Sequence, residues 1–435
     1  MRSLGLFTLA LVCGSALHAG EAAENWPQWR GPNLNGTSVA ARGLPTEWTE
    51  TKNVVWRVEL PSWSAATPIV WDDVVFITSA EEGFAAHKAG GGVGSRRKDK
   101  LFFMAINRKD GSVLWRRELG AGNRIGNKQN MTSPSPATDG KHVWTMTGTG
   151  LLASWNFAGE KVWQRSLQAD LGKFGLQFGY GSSPVLDDGK LYIQVLHGFL
   201  TDEPSYLAAL DAATGKTLWR IERPTDALHE TPDSYSTPTF IGSGANKQLV
   251  VAGGGYLTGH DLATGRELWR AGGLNPNNAT NYRTIASALV VGDLILTPSR
   301  RRPFIAFRPG GERVWSTAYG PDVPTPTSDG ERLYIIDDKG IALCLRVADG
   351  TTVWDRSRME PGTYSSSPLL ADGKIYATSE DGSTTVLAAG DEFKILAVNK
   401  LDDYTLASPA VAGNQIFLRT AKYLYCIAES GETTD

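Results

Sequence analysis

A short motif recurs eight times along this 435-residue chain, and each copy is a Ser or Thr followed by Pro or Ala, an apolar run and a tight turn. The copies begin at Thr67, Ser135, Ser183, Thr237, Ser287, Thr325, Ser367 and Ser408. Such self-similarity is typical of repeat architectures, in which neighbouring units share one continuous core. The repeat therefore argues against the roughly three separate domains that length alone would suggest.

Each repeat reads as four β-strands. The hydroxyl residue opens a strand that ends in an Asp-Gly turn, as in 184–193 and 368–377. Asp-Gly between apolar runs is a strong hairpin signal, because a type I′ turn needs positive φ at both central residues. A third strand ends in another Gly turn, and a fourth strand carries a Trp in the first six units, with Leu396 at that position in the seventh. These Trp residues are Trp115, Trp163, Trp219, Trp269, Trp315 and Trp354.

The N-terminal part of the chain is predicted to supply the strand that the last repeat lacks. The eighth unit stops after its third strand at 423–427, and the segment 53–60 has the pattern of the missing fourth strand. Strand exchange between the termini would remove the open edges of the ring. The sequence thus predicts an all-β protein, an eight-bladed β-propeller of four-stranded antiparallel blades that spans residues 53–430 and is closed by the N-terminal strand.

The first residues have the pattern of an export signal. An apolar run from Leu4 to Val12 is followed by small residues, which predicts a signal peptide at 1–19 and an N-terminal extension at 20–52. The apolar run is too short for a stable membrane span. We expect an exported protein, periplasmic or extracellular, without a transmembrane segment. A lipid anchor on Cys13 is disfavoured, because Val12 stands where a lipobox has a small residue.

The other two cysteines occupy a recurrent position of the third strand. The equivalent residues are Ala105, Ser154, Ala209, Gly259, Ala306, Cys344, Ala388 and Cys426. A position that faces the next blade favours small side chains. Cys344 and Cys426 stand two blades apart, too far for a disulfide, so both are expected to be reduced core residues. The Trp of the fourth strand is expected to dock each blade on its neighbour.

Two segments carry a family resemblance. Residues 209–219 (ALDAATGKTLW) and 259–269 (GHDLATGRELW) resemble the tryptophan-docking motif of quinoprotein alcohol dehydrogenases. The resemblance implies the PQQ-like eight-bladed propeller. Residues 26–32 (WPQWRGP) resemble the start of exported family members without an assigned activity, and the non-catalytic assembly lipoprotein BamB is a further relative.

The family contains both enzymes and scaffolds, and the departures favour a scaffold. The dehydrogenases hold their quinone between a Trp and a disulfide of adjacent cysteines, and this chain has no adjacent cysteines. No calcium-binding trio is matched residue by residue. We therefore expect neither a catalytic residue nor a metal site nor a cofactor, whereas the alternative of a PQQ-dependent dehydrogenase would need PQQ with Ca²⁺.

The long connections all fall on the face where the hydroxyl residues stand. They are the segments 83–100, 120–133, 168–182, 197–205, 222–235 and 271–286. Long loops on one side of a rigid scaffold usually carry binding. Six aromatic residues just before the hydroxyl step are expected to ring the channel mouth, where they either stack on a ligand or plug the opening. The candidate ligand-binding residues are Trp63, Asn130, Tyr180, His229, Tyr235, Tyr282, Arg283, Tyr364 and Tyr404.

The sequence favours a non-catalytic binding scaffold for a partner protein of the envelope or an extended ligand. The alternatives are a PQQ-dependent dehydrogenase acting on an alcohol or a sugar, and a carbohydrate-binding propeller. Nucleic acid is disfavoured as a partner, because the net charge is −3 and no basic stripe stands out. His229, Glu230 and Asp233 form the one acid–base cluster of the elaborated face. We expect a monomer.

Overall fold

The computed structural model describes residues 24–81, 94–126, 128–300 and 302–429. The predicted signal peptide, with Cys13, lies outside these ranges. The described residues are almost entirely β, with one short α-helix, α1 (Leu167–Asp170), and one 3₁₀ turn, Gly244–Asn246. Two strands precede the first blade: β1 (Thr37–Ser38) and β2 (Val54–Glu59).

The remaining strands follow the eight repeats in order. Blade 1 consists of β3 (Ile69–Trp71), β4 (Val74–Ala80), β5 (Gly94–Asn107) and β6 (Val113–Ile125). Blade 2 consists of β7 (Ala137–Thr138), β8 (His142–Met146), β9 (Leu151–Asn156) and β10 (Lys161–Ser166). Blade 3 consists of β11 (Val185–Asp187), β12 (Lys190–Val195), β13 (Tyr206–Asp211) and β14 (Thr217–Glu222). Blade 4 consists of β15 (Thr239–Ile241), β16 (Gln248–Gly253), β17 (Tyr256–Asp261) and β18 (Glu267–Ala271).

The second half of the ring has the same plan. Blade 5 consists of β19 (Leu289–Val291), β20 (Leu294–Thr297), β21 (Phe304–Phe307) and β22 (Arg313–Thr317). Blade 6 consists of β23 (Thr327–Ser328), β24 (Arg332–Ile336), β25 (Ile341–Arg346) and β26 (Thr352–Arg358). Blade 7 consists of β27 (Leu369–Ala371), β28 (Lys374–Thr378), β29 (Ser383–Ala388) and β30 (Ile395–Lys400). Blade 8 combines β31 (Ala410–Ala412), β32 (Gln415–Arg419) and β33 (Tyr423–Ile427) with β2.

The predicted eight-bladed propeller is confirmed, including its closure. Within each blade the four strands pair in order and antiparallel, and β2 pairs with β33 so that Trp56 stands opposite Cys426. The short β1 adds a fifth, parallel strand to blade 7 beside β27. The first strands of the blades surround the central channel, and the fourth strands form the outer rim.

The recurrent Ser or Thr residues form a hydrogen-bonded belt around the channel, and we call these eight the belt residues. Every belt hydroxyl except that of Thr67 accepts the backbone N–H of the belt residue in the preceding blade, as from Thr67 to Ser135 (2.9 Å) and from Ser367 to Ser408 (3.0 Å). Seven such bonds of 2.8–3.1 Å link successive blades. A belt position that accepts this bond is well served by a short hydroxyl side chain, because its oxygen is an acceptor close to the backbone.

The Trp residues of the fourth strands dock each blade on the next, as the repeat predicts. The indole of Trp219 packs over Gly265 in the following blade, and its Nε1–H donates to the carbonyl of Leu262 (3.0 Å). Trp56, Trp115, Trp163, Trp315 and Trp354 donate in the same way. Trp269 differs, since its indole lies on Gly259 and donates to Gln248 (2.7 Å), both in its own blade.

The small third-strand residues stand opposite these Trp residues, as Cys344 does opposite Trp354. Cys344 and Cys426 are free, buried thiols, as expected. In blade 7 the predicted register is wrong by two residues at the small position and by one residue at the Trp position. The register pairs Val386 with Ala397, so Val386 rather than Ala388 holds the small position and Ala397 rather than Leu396 the Trp position. This blade lacks the indole that marks the register elsewhere, and its turn is longer.

The N-terminal extension folds across the face that carries the Asp-Gly turns. Trp26 exchanges two backbone hydrogen bonds of 2.9 Å with Val70, and Pro27 accepts the N–H of Thr138 (2.8 Å). Further along the extension, Trp48 donates its N–H to Asn399 (2.9 Å) and stacks on Tyr376. The extension thus joins blades 1 and 2 to blade 7 and lies across the channel on this side.

Candidate functional site

The linkers between blades 1 and 5 meet on the face opposite the extension, which we call the linker face. Buried Asp233, in the linker between blades 3 and 4, joins the linker between blades 2 and 3 and the β12–β13 loop of blade 3, because its carboxylate accepts the N–H groups of Gln177 (2.8 Å), Gly198 (3.0 Å) and Phe199 (3.2 Å). The fourth linker joins them through paired backbone bonds between Thr284 and the 233–235 segment. The prediction that the long connections share one face is confirmed for these linkers.

Burial raises the pKa of Asp233 to about 6, and the three N–H donors oppose that shift. The carboxylate is thus a structural acceptor inside the linker face. The neighbouring acid–base candidates do not join Asp233, since the Glu230 carboxylate pairs with Arg283 (2.7 Å) and the His229 side chain is exposed. The three side chains of the predicted cluster do not form a joint acid–base site.

A cavity of about 110 Å³ lies on the propeller axis beneath the linker face, and we call it the channel well. Seven of the eight belt residues line it, together with Trp29, Lys128, Gln129 and Tyr235. Trp29 belongs to the extension, so it enters the channel from the Asp-Gly side. A second cavity of about 210 Å³ shares Lys128, Gln129 and Tyr235 with the well and continues toward Arg283 and Asp338.

Lys128 crosses the mouth of the well. Its Nζ forms an ion pair with Glu380 and donates to the hydroxyl of Ser365 (3.1 Å). Ser365 belongs to the linker between blades 6 and 7, and Glu380 belongs to the β28–β29 turn of blade 7. The hydroxyl of Ser365 in turn donates to Glu380 (2.5 Å). Burial raises the pKa of Asp338 nearby, with the adjacent Asp322 acting in the same direction. The mouth is therefore polar and charged, with both signs present.

Three of the six aromatic candidates are buried and do not reach the mouth, which corrects the expectation that all six rings encircle it. Trp63 packs against Ile125 and Leu406. The hydroxyl of Tyr180 donates to the carbonyl of Gln194 (2.9 Å), and that of Tyr364 to Glu360 (2.8 Å). These rings fill space between strands and linkers because each follows a linker where the chain re-enters its blade.

The other candidates are distributed around the face. Tyr235 lines the well, while half-buried Tyr404 packs beside Trp63 and lies near Glu380. The hydroxyl of Tyr282 donates to the carbonyl of Arg302, which directs this ring away from the axis. Buried Asn130 donates to the carbonyl of Trp63 (2.7 Å) and shapes its own linker. Ligand binding by the candidate residues remains a prediction.

The described residues do not fit a quinone held with Ca²⁺. Among the described residues no carboxylate lines the well, although carboxylate and carbonyl oxygens are the ligands that Ca²⁺ prefers. Within the described ranges, no three His, Cys, Asp or Glu side chains come together to hold a metal ion. Cys344 and Cys426 stand in different blades, and burial raises the pKa of each thiol to about 12. We assign no chemistry to a quinone.

Several residues of the site escaped the sequence-based prediction. Trp29 and Lys128 take their roles from residues tens or hundreds of positions away, and no local pattern marks them. Asp233 was expected in an acid–base cluster, and its role as an acceptor that joins the connections was missed. The exposed apolar residues Phe199 and Leu228 were also missed. A large apolar side chain inside a polar loop was the one available signal.

No helix in the described part of the chain combines the length and the hydrophobicity that a membrane crossing needs.

Comparison with known proteins gives a consistent result. The family model described as outer membrane protein assembly factor BamB matches residues 103–356 and 304–392. The BamB of Shewanella oneidensis is 25% identical over 291 residues, which are 65% of this chain and 65% of that protein. The BamB of Yersinia pestis is 20% identical over 324 residues, 72% of this chain and 76% of that protein. The chain thus spans slightly less than two thirds of the Shewanella relative.

Solved structures share the fold. The BamB of Moraxella catarrhalis superposes with a TM-score of 0.59 at 12% identity, covering 88% of this chain and 98% of that one. A europium-containing methanol dehydrogenase reaches 0.69 at 10% identity, covering 94% and 99%. The quinohemoprotein alcohol dehydrogenase of Comamonas testosteroni reaches 0.67 at 12% identity, covering 97% and 83%. At such identities these likenesses show the fold alone. Because the family model covers more than half of the chain, the protein belongs to the PQQ-like β-propeller family of the outer membrane protein assembly factor BamB.

Proposed function

We propose that this protein is an exported, non-catalytic propeller that binds a partner protein of the cell envelope on its linker face. The relatives in Shewanella oneidensis and Yersinia pestis are named as outer membrane protein assembly factors, and the proposal extends a role in that process to this chain. It is supported by the geometry of the two faces. The extension covers one face, so the linker face is the elaborated surface on which a partner could dock.

The observation that carries the proposal is a set of large apolar side chains on tied linkers. Phe199 is 42% exposed, Leu200 53% and Leu228 64%. Exposed apolar residues among polar loops mark protein-interaction sites. Their backbone is held in place, because Asp233 accepts the N–H of Phe199 and the N–H of Leu200 donates to Gly175 (2.9 Å). A surface ordered in advance loses less entropy when a partner binds.

The ion pair between Arg283 and Glu230 on the linker face suits a protein partner better than a small substrate. Arg283 and Glu230 are both largely buried and satisfy one another, while the Arg283 guanidinium also covers the ring of Phe178. Paired charges at the rim of an apolar contact contribute specificity rather than chemistry.

The test is site-specific photocrosslinking in the native cell. A photoreactive residue at position 228 should crosslink one envelope protein, whereas one at 268 should not. Leu268 is the matched control, because it is an exposed leucine (39%) on the outer strand β18. With the purified partner, Leu228→Ser should raise Kd roughly tenfold, the loss expected for one buried leucine side chain, and Leu268→Ser should leave Kd unchanged. Equal crosslinking from both positions would contradict the proposal.

A second measurement addresses catalysis. The purified protein is incubated with PQQ and Ca²⁺, and dye reduction is followed with alcohols and sugars. We expect no turnover. Stoichiometric quinone binding with turnover would replace the scaffold function with a dehydrogenase, and glycan-array binding that depends on the linker face would favour the carbohydrate-binding alternative.

Export and oligomeric state have separate tests. The mature protein should begin at residue 20 and appear in the periplasmic or extracellular fraction, as shown by N-terminal sequencing after fractionation. Light scattering should give the mass of a monomer. An uncleaved chain in the cytoplasm would exclude a role in the envelope.

A further inference from the structure

The belt residues retain hydrogen-bond donors that the protein does not use. Seven belt hydroxyls each accept one backbone N–H, and a hydroxyl that accepts still has its own proton to donate. Within the described residues none of these seven protons has a protein acceptor. The seven residues line the channel well: Ser135, Ser183, Thr237, Ser287, Thr325, Ser367 and Ser408. The wall of the well is therefore a ring of O–H donors.

Among the described residues, two cations stand at the well, and Glu380 pairs with one of them. Lys128 is the one charged side chain of the described residues that lines the well, and its ion pair with Glu380 holds it at the mouth. Beneath the belt, the buried Arg30 guanidinium donates to the carbonyls of Pro326 and Pro368, each of which directly follows a belt residue. No carboxylate of the described residues forms a salt bridge with Arg30, and its Nε has no partner. Arg30 lies against the ring of Trp29, which reaches the well.

We propose that the channel well is a binding site for a small monovalent anion of about the size of chloride. Converging O–H donors above an arginine that has no carboxylate partner among the described residues favour a negative ligand. A metal cation is disfavoured at the same place, because no carboxylate of the described residues lines the well and Arg30 lies below it. The volume of about 110 Å³ suits an ion with a few waters rather than an organic ligand. This site does not depend on partner binding at the linker face.

Thermal unfolding at constant ionic strength tests the proposal, with sodium gluconate as the excluded, bulky reference. Replacing gluconate by chloride should raise Tm in a saturable way, by roughly 2–4 °C at a hundredfold excess over Kd. The double variant Thr237→Val with Thr325→Val removes two donors of the well and should lose at least half of that rise. Thr67→Val is the matched control, since Thr67 is the belt residue that does not line the well, and it should keep the full rise.

The comparison separates binding from stability. A belt hydroxyl with a structural role alone would lower Tm equally in chloride and in gluconate. Equal Tm values of the wild type in the two salts would overturn the proposal, as would a chloride effect that the double variant retains in full. If the double variant does not fold, crystals of the wild type grown in gluconate and soaked in sodium bromide decide. An anomalous bromide peak in the well supports the site, and ordered water alone refutes it.

Discussion

The backbone N–H of Ser367 donates to the hydroxyl of Ser408 across the junction of blades 7 and 8. The same bond recurs at six other junctions, but at the last one the buried hydroxyl of Thr67 has no partner among the described residues. That junction is held by other means. Trp56 of β2 donates to Arg108 in blade 1 (2.8 Å), and buried Arg419 donates to the carbonyls of Ser62 (2.9 Å) and Thr78 (2.6 Å). The belt is open where the two chain ends close the ring.

Two threonines of the belt should differ in their effect on stability. Thr237→Val removes the acceptor of the Ser183 N–H (3.1 Å) and leaves a buried donor unsatisfied, so the free energy of unfolding should fall by about 1–3 kcal/mol. Thr67→Val removes a buried hydroxyl that accepts no bond, so it should be neutral or stabilising. Urea denaturation of both variants measures the difference. Equal losses would show that the belt bond contributes nothing.

Gly259 should tolerate no side chain. A Cβ there would stand 2.2 Å from the Trp269 ring, which has its one hydrogen bond to Gln248 in the same blade. Gly259→Ala should destabilise the protein by about 2–4 kcal/mol, because the indole must leave its position. Ala209→Gly, at the equivalent site of blade 3, is the control and should cost about 1 kcal/mol or less. Denaturation midpoints provide the comparison, and similar losses in the two variants would contradict the overlap.

Asp233 should make stability fall as pH rises through the weakly acidic range. Its pKa in the folded state, about 6, exceeds the ordinary value of 3.8, so the folded protein keeps a proton that the unfolded chain releases. Its contribution is greatest below about pH 4 and is lost between about pH 4 and pH 6, by about 2–3 kcal/mol. The titratable groups that act on it are Glu230 and Tyr235, and Arg283 pairs with Glu230 beside them.

Asp233→Asn should remove that dependence. The free energy of unfolding is measured in urea from pH 4 to pH 7 for both proteins. As pH rises, the wild type should lose free energy of unfolding relative to the variant. The amide oxygen can still accept from Gly198 and Phe199, whereas its NH₂ would face the N–H of Gln177. A difference that stays constant with pH would show that Asp233 is ionised throughout.

His260 should act in the opposite sense. The ring is buried between the Gly265 carbonyl (3.0 Å) and the Thr258 hydroxyl (2.9 Å), and burial lowers its pKa from 6.5 to about 4. Stability from the neutral ring is present above pH 6.5 and is lost by about 3 kcal/mol as pH falls to about 4. His260→Asn retains a donor for Gly265 and should flatten this part of the pH profile. Proton NMR titration of the His260 ring checks the pKa directly, and a value near 6.5 would contradict the assignment.

Much of the fold was predictable because its causes are local. An Asp-Gly turn after an apolar run predicts a hairpin whatever surrounds it, and the four-residue spacing from Gly215 to Trp219 repeats in six blades. The register was predicted wrongly only in blade 7, where no Trp marks it and Val386 pairs with Ala397. The site was less predictable. Tyr180 stands three residues and Tyr235 two residues before its belt residue, and one is packed inside a blade while the other lines the well.

The sequence by itself determined the blade count, the strand order, the closing strand and the small positions that hold Cys344 and Cys426. These follow from periodicity and turn chemistry, which act between neighbouring residues. Only the tertiary structure decided that the belt hydroxyls bond from blade to blade, that the extension places Trp29 in the channel, and that Lys128 meets Glu380. Such contacts join residues about 40 to 300 positions apart, and their partners are set by the closure of the ring.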